Sequence, residues 1–96
     1  MAWTWDPEKD RANKRKHGIG FETARLVFDD PLALSRIDAA VREEERWQTV
    51  GAIGDATVLV VHTALEETDD GEVDGRIISA RKATRHERKA YEEGEF

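Results

Sequence analysis

The sequence predicts one α+β domain over residues 1–96, with an antiparallel sheet of three to five strands, two N-terminal helices and one C-terminal helix. Three observations lead to this prediction. Helical signals occupy residues 6–28, runs rich in β-branched residues occupy 33–81, and a capping box at Thr84 begins a final helix. Strands that follow one another through short turns pair antiparallel, and helices then cover the sheet.

The N-terminal part contains one short strand and two helices. Alternating tryptophans predict a strand over residues 1–5. Asp6-Pro7 is typical of a helix start, and Gly18 is typical of a left-handed helix end. A second helix is predicted over residues 21–28, because apolar residues recur there at helical spacing.

The remaining chain is predicted to form mainly strands. The candidates are residues 33–37, 46–53, 57–63 and 75–81. The run 57–63 is β-branched and apolar on both faces, so it is expected to be the central strand. An acidic hairpin loop is expected over residues 66–75.

Composition narrows the class of protein. Hydrophobic residues make up 39% and charged residues 38% of the chain, which fits a globular domain. The chain has no cysteine, so disulfides and thiolate metal sites are excluded. No apolar run approaches the roughly 20 residues of a membrane span, and the first residues lack a signal-peptide pattern. We therefore expect a cytoplasmic protein without a membrane partner, metal or cofactor.

The charge is distributed unevenly along the chain. The total is −6, but residues 26–75 carry three bases and thirteen acids, a net charge of −10. Residues 76–91 carry six bases and one acid, a net charge of +5. This basic segment predicts either a surface that neutralises phosphates or a solvated helix that follows a strand.

Short motifs along almost the whole chain resemble a known family. They are Trp5-Asp6, Asn13 with Lys16-His17-Gly18, Phe21-Glu22 with Ala24, Phe28-Asp29-Asp30-Pro31, Glu45-Arg46-Trp47 with Gly51, Val60-Val61-His62-Thr63, Arg76-Ile77-Ile78-Ser79-Ala80-Arg81, and Lys82-Ala83-Thr84 with Glu87 and Tyr91. In this order they resemble the BrnT family of toxins, within the wider RelE-like group.

The resemblance implies a RelE-like fold and the toxin role of a type II toxin–antitoxin system. The expected activity is RNA cleavage that arrests growth, and the expected partners are RNA and a BrnA-type antitoxin. Operator DNA would be contacted only indirectly, through the antitoxin. The alternative is a non-catalytic module that binds the antitoxin and acts as co-repressor of its operon.

Three residues are candidates for catalysis. RNA carries its own nucleophile, so a metal-free ribonuclease needs an acid, a base and cations for the developing charge. Arg46 and Arg81, expected on neighbouring strands, are predicted to converge on one phosphate. His62 is the predicted general acid or base, with a hydrogen-bonded core histidine as the alternative.

Four further residues are candidates for RNA binding. Arg76, Lys82 and Arg85 belong to the basic segment, and Lys82 lies just before the final helix, whose N-terminus also favours anions. The alternative for these residues is a solvated strand end. Trp47 is predicted to stack on a base, with core packing as its alternative.

Overall fold

A computed structural model describes residues 2–38 and 45–96. The first predicted strand includes Met1, which lies outside the described residues. In chain order the elements are β1 (Ala2–Thr4), α1 (Pro7–His17), α2 (Phe21–Ala24), a 3₁₀ helix (Arg25–Asp29), β2 (Leu34–Ile37), β3 (Arg46–Ile53), β4 (Ala56–Thr63), β5 (Glu66–Glu67), β6 (Val73–Lys82) and α3 (Arg85–Glu93).

The strands form one sheet in the order β1-β6-β4-β3-β2, and the short β5 also pairs with β6. The predicted α+β class is confirmed, and β4 is the central strand. Strands β2, β3, β4 and β6 pair antiparallel as expected, whereas β1 lies parallel to β6. A long stretch of chain separates β1 from β6, so no hairpin turn forces those two strands into opposite directions.

The N-terminal helices follow their local sequence signals closely. Asp6 caps α1 by accepting a hydrogen bond from the backbone N of Glu8 at 2.9 Å, and Gly18 ends the helix with a φ of 75°. The second predicted helix is correct in place but tightens into the 3₁₀ helix after Ala24. This helix packs so closely on β3 that a Cβ at Gly51 would lie 3.0 Å from Val27 Cγ1.

The predicted loop over residues 66–75 is shorter than expected. β6 begins at Val73, and its first residues pair with β5, which leaves a tight turn between them. Gly75 therefore lies inside a strand. The ring of Trp3 occupies the space beside it, since a Cβ there would lie 2.5 Å from Trp3 Cζ3. The closeness of β1 to β6 explains this glycine.

Helices cover both faces of the sheet. On the first face, Val60 and Ile77 pack with Phe21 and Val27 of the N-terminal helices in the main core. We call this the N-terminal helix face. On the opposite face, Leu59 is 1% exposed. That second face carries α3, and we call it the α3 face.

Candidate functional site

Arg46 and Arg81 both lie on the α3 face. Residues directly opposite each other in an antiparallel pair point to the same side of the sheet. Arg46 is opposite Thr63 and Arg81 is opposite Leu59, and these two β4 residues are four positions apart. Their alternation places both arginines on one face.

A β-bulge brings Arg76 to the same face. Arg76 and Arg81 are five residues apart on β6, so regular alternation would point them to opposite sides. The register shifts between Val61 and His62, and Ile78 is the extra residue in β6. Ile77 is consequently buried in the main core, and its neighbour Arg76 projects to the α3 face. We call Arg46, Arg76 and Arg81 the arginine set.

The arginine set is not arranged as predicted. β4 lies between β3 and β6, so Arg46 and Arg81 are not on neighbouring strands. Arg81 is also four register positions away, about 13 Å along the strands. Arg46 and Arg76 instead flank the same β4 residue, Thr63. Arg46 is opposite Thr63, and the backbone N of Arg76 donates to Thr63 Oγ1 at 2.9 Å. The expectation that Arg46 and Arg81 lie on neighbouring strands is therefore wrong.

Arg46 has an unused hydrogen-bond donor. Its Nε is buried and has no hydrogen-bond partner within residues 2–38 and 45–96. A further arginine, Arg36 on β2, lies on the same face and donates from Nε to Gln48 Oε1 at 2.9 Å. Its guanidinium carbon lies 4.0 Å from the ring centroid of Phe96. Arg36 was not among the predicted site residues, because only the pairing of β2 with β3 brings it to this face.

Arg81 is held by the C-terminal helix. Its two terminal nitrogens donate to the two carboxylate oxygens of Glu87 at 2.7 and 2.9 Å. The bond from Arg81, with a backbone hydrogen bond from Thr84, lowers the pKa of Glu87 to about 2. The capping box at Thr84 is confirmed. Glu87 thus has two roles. It completes the capping box at the start of α3, and it binds the guanidinium group that was predicted to bind phosphate.

His62 lies on the N-terminal helix face, away from the arginine set. It is 5% exposed, and its ring meets the rings of Trp3 and Phe28 edge-on at centroid distances of 5.2 and 5.0 Å. Nδ1 lies 2.7 Å from Thr63 O, and Nε2 lies 2.6 Å from Thr49 Oγ1. Burial lowers its pKa from the ordinary value of 6.5, so the ring is neutral at pH 7.

Trp47 also lies on the N-terminal helix face, directly opposite His62. Its indole N donates to Glu45 Oε1 at 2.8 Å. Trp47 and His62 line a groove of about 360 Å³ together with Ser35, Glu45, Ala64 and Leu65. We call this the Trp47 groove. Trp47 is half-buried rather than a core residue.

The other predicted RNA-binding residues lie at the far end of the sheet. Lys82 is opposite Val58, and Arg85 is the first residue of α3. Both are exposed. They are close to Arg81 along the chain but far from the row formed by Arg46, Thr63 and Arg76. The seven predicted site residues therefore fall into three places.

A second, larger cleft of about 560 Å³ opens beside Arg76. Acidic side chains line much of it, including Glu66, Asp69 and Asp74. Nevertheless, among residues 2–38 and 45–96, no three His, Asp or Glu side chains are grouped as a metal site would require.

Comparison with protein families identifies the chain. Residues 5–87 match the family model described as "Ribonuclease toxin, BrnT, of type II toxin-antitoxin system". The protein belongs to the BrnT family. The match includes every predicted site residue and ends at Glu87, the partner of Arg81. The resemblance inferred from the motifs is thus confirmed, and with it the class of ribonuclease toxins that are paired with an antitoxin.

Two further observations concern the whole chain and its helices. Among curated proteins, none matches this BrnT-family chain. Across the described part of the chain, no helix is long and apolar enough to cross a membrane.

The BrnT motif Asn13 has a structural position that the sequence analysis did not predict. Asn13 is buried on α1, and its Nδ2 donates to Ala80 O at 2.8 Å and to Ile19 O at 2.9 Å. Its Oδ1 accepts from the backbone N of Ala80 at 3.1 Å. β1 covers only the first part of β6, so this side chain satisfies the strand edge beyond it. Helix α1 is polar along its whole length, so its hydrophobic pattern does not single out Asn13, and the family motif was the available signal.

Proposed function

We propose that this BrnT-family toxin is a cytoplasmic RNA endonuclease that cleaves without a metal ion. We further propose that a BrnA-type antitoxin neutralises it and that operator DNA is contacted only through that antitoxin. The observation that supports the catalytic proposal is the arginine set on one face of the sheet. Several guanidinium groups on a common surface are suited to binding phosphates and to stabilising extra negative charge.

The chemistry needs no external nucleophile. The 2′-oxygen attacks the neighbouring phosphorus, and the bond from phosphorus to the 5′-oxygen breaks. A base takes the proton of the 2′-hydroxyl, and an acid protonates the leaving 5′-oxygen. The products are a 2′,3′-cyclic phosphate and a 5′-hydroxyl. Arg46 and Arg76 flank Thr63, so we assign them to the non-bridging oxygens of the reacting phosphate.

Other roles remain predictions. The acid–base role of His62 requires RNA to reach the N-terminal helix face, where its Nε2 is already bonded to Thr49. Glu87 is a weak base because its pKa is about 2. Lys82 and Arg85 are assigned to phosphates further along the RNA. Stacking of a base on Trp47 stays a prediction, and the binding experiments of the next subsection decide it.

The test is cleavage of a naked RNA in excess EDTA. We expect cleavage to persist and the products to carry 2′,3′-cyclic phosphate or 3′-phosphate ends. Arg46→Ala and Arg76→Ala should each lower the rate about a hundredfold, as when a donor to a developing oxyanion is removed. Arg11→Ala, at an exposed position on α1, is the matched control and should cleave normally.

Two results would contradict the proposal. Strict dependence on a divalent metal, or products with 3′-hydroxyl ends, would exclude the mechanism. No cleavage by a folded protein that binds its antitoxin tightly would favour the alternative, a non-catalytic co-repressor.

A further inference from the structure

The Trp47 groove is a concave site that the phosphate chemistry assigned to Arg46 and Arg76 does not use. It lies on the N-terminal helix face, opposite to the arginine set, where the helices leave the sheet uncovered. Its rim is formed by two exposed apolar side chains. Ile37, which pairs with Trp47, is 58% exposed, and Leu65 is 46% exposed. Exposed aliphatic side chains around an indole are typical of a surface that a partner covers.

The hydrogen-bond directions in the groove can be assigned. A carbonyl oxygen only accepts, so His62 Nδ1 must carry the proton that it shares with Thr63 O. The neutral ring then accepts at Nε2, which makes Thr49 Oγ1 the donor. Thr49 in turn accepts from Ser35 Oγ, 2.7 Å away. The proton of Ser35 therefore points inward, and its lone pairs remain for a ligand.

The other polar group of the groove is also an acceptor. Glu45 Oε1 holds the indole N–H of Trp47, which positions the carboxylate at the groove and leaves Oε2 available. The two nitrogens of His62 are both engaged. What the groove offers is a carboxylate oxygen, a hydroxyl oxygen and an aromatic ring. A ligand that fits must supply donors on a flat or apolar body.

Charge selects among such ligands. Among the described residues that line the groove, none is a lysine or an arginine, and Glu66 directly follows its rim residue Leu65. Glu45 is the one acidic side chain among these described lining residues. Such a surface repels the phosphates of RNA and attracts a cation. A guanidinium is planar, carries five donors and stacks on indole rings.

We propose that the Trp47 groove is a docking site for an arginine side chain of the protein antitoxin. The guanidinium stacks on Trp47 and donates to Glu45 Oε2 and Ser35 Oγ, while Ile37 and Leu65 cover apolar neighbours of that arginine. This inference rests on the proposed pairing with an antitoxin. It places the anchor of the partner on the face opposite to the arginine set.

The first test uses small probes and no RNA. N-acetylargininamide is titrated into the protein, and the indole N–H of Trp47 is followed by NMR, assigned with Trp47→Phe. We expect a saturable shift. Glu45→Gln should weaken binding about three- to tenfold, since it removes one charge-assisted contact. N-acetylcitrullinamide, the uncharged analogue, should bind more weakly. Glu8→Gln on α1 is the charge-matched control and should bind as wild type.

The second test uses the antitoxin itself, purified by co-expression with the toxin. Glu45→Gln should weaken the complex by a similar factor, and Glu8→Gln should not. Equal affinity for both variants would overturn the proposal. So would a Trp47 shift with guanosine monophosphate but not with argininamide, which would make the groove a nucleobase site. Neither measurement requires cleavage, so the proposal can fail while the ribonuclease assignment holds, and the reverse.

Discussion

At the scale of single residues, the structure is determined by polar side chains in apolar surroundings. Asn13 and His62 are both at most 7% exposed, and each has hydrogen bonds to backbone groups. A buried polar group is stable only when its partners are complete. Substitutions at these positions therefore report on the local backbone as much as on the side chain.

The first residue-scale prediction concerns Asn13. Asn13→Ala should lower the free energy of unfolding by about 2 to 4 kcal/mol, because Ala80 N and O lose their partner inside the protein. Denaturant unfolding measures the change. Lys14→Ala, the exposed neighbour on α1, should change stability by less than about 0.5 kcal/mol. A loss equally small for Asn13→Ala would show that water replaces the side chain.

The second prediction concerns pH and follows from burial of His62. Its pKa is lowered on folding, so the unfolded chain binds the proton more tightly. Stability should be fully present above pH 6.5 and should fall as the pH drops from 6.5 through the folded pKa. The rings of Trp3 and Phe28 and the hydroxyl of Thr49 surround the imidazole, and none of them titrates in this range.

Urea unfolding between pH 7.5 and 5 tests this prediction. His62→Gln should flatten the pH dependence in that window, whereas the exposed His86→Gln should leave it as in wild type. If His62→Gln and wild type show the same slope, another group causes the dependence.

At the scale of elements, two polar contacts within the described part of the chain join α3 to other elements. Glu87 near its start binds Arg81, and Tyr91 near its end donates to Asp30 Oδ2 at 2.5 Å. Asp30 also accepts from the backbone N of Ala52, so this carboxylate joins α3 to β3. The hydrogen bonds from Tyr91 and Ala52 lower the pKa of Asp30, and the bond from Arg81 lowers the pKa of Glu87. Both carboxyl groups are therefore favoured in their ionised forms.

A prediction at this scale separates two roles of Arg81. Arg81→Ala should abolish growth arrest if Arg81 binds RNA phosphate, and it also breaks the pair with Glu87. Glu87→Gln breaks the ion pair but retains Arg81, and glutamine still fits the capping box. We therefore expect Glu87→Gln to keep or increase toxicity, because its arginine is released for phosphate.

Growth after induction at matched expression measures this pair of variants, with circular dichroism to verify folding. Loss of toxicity in both variants would assign the effect to the position of α3. Full toxicity of Arg81→Ala would show that Arg81 does not bind RNA phosphate.

At the scale of the whole molecule, the sequence predicts those features that depend on neighbouring residues in the chain, such as helix ends and the central strand. The bounds of α1 and the start of α3 follow from caps within a few residues, and β4 follows from its apolar run. The direction of β1 does not, because its partner β6 is about seventy residues away. The face of Arg76 depends on the bulge at Ile78, which no local pattern reveals. The candidate residues were thus predicted individually, but their grouping was not.

The pairing of β1 with β6 also has a consequence for how the protein is made. The first strand of the chain is completed by the last one, so the sheet edge at Trp3 stays open while the middle of the chain is being translated. Contacts so distant in sequence form late and slowly. Arg76 and Arg81 lie on that same last strand. The arginine set is therefore incomplete in the nascent chain until β6 has emerged, and the face proposed to bind RNA is assembled only after that strand has paired with β4.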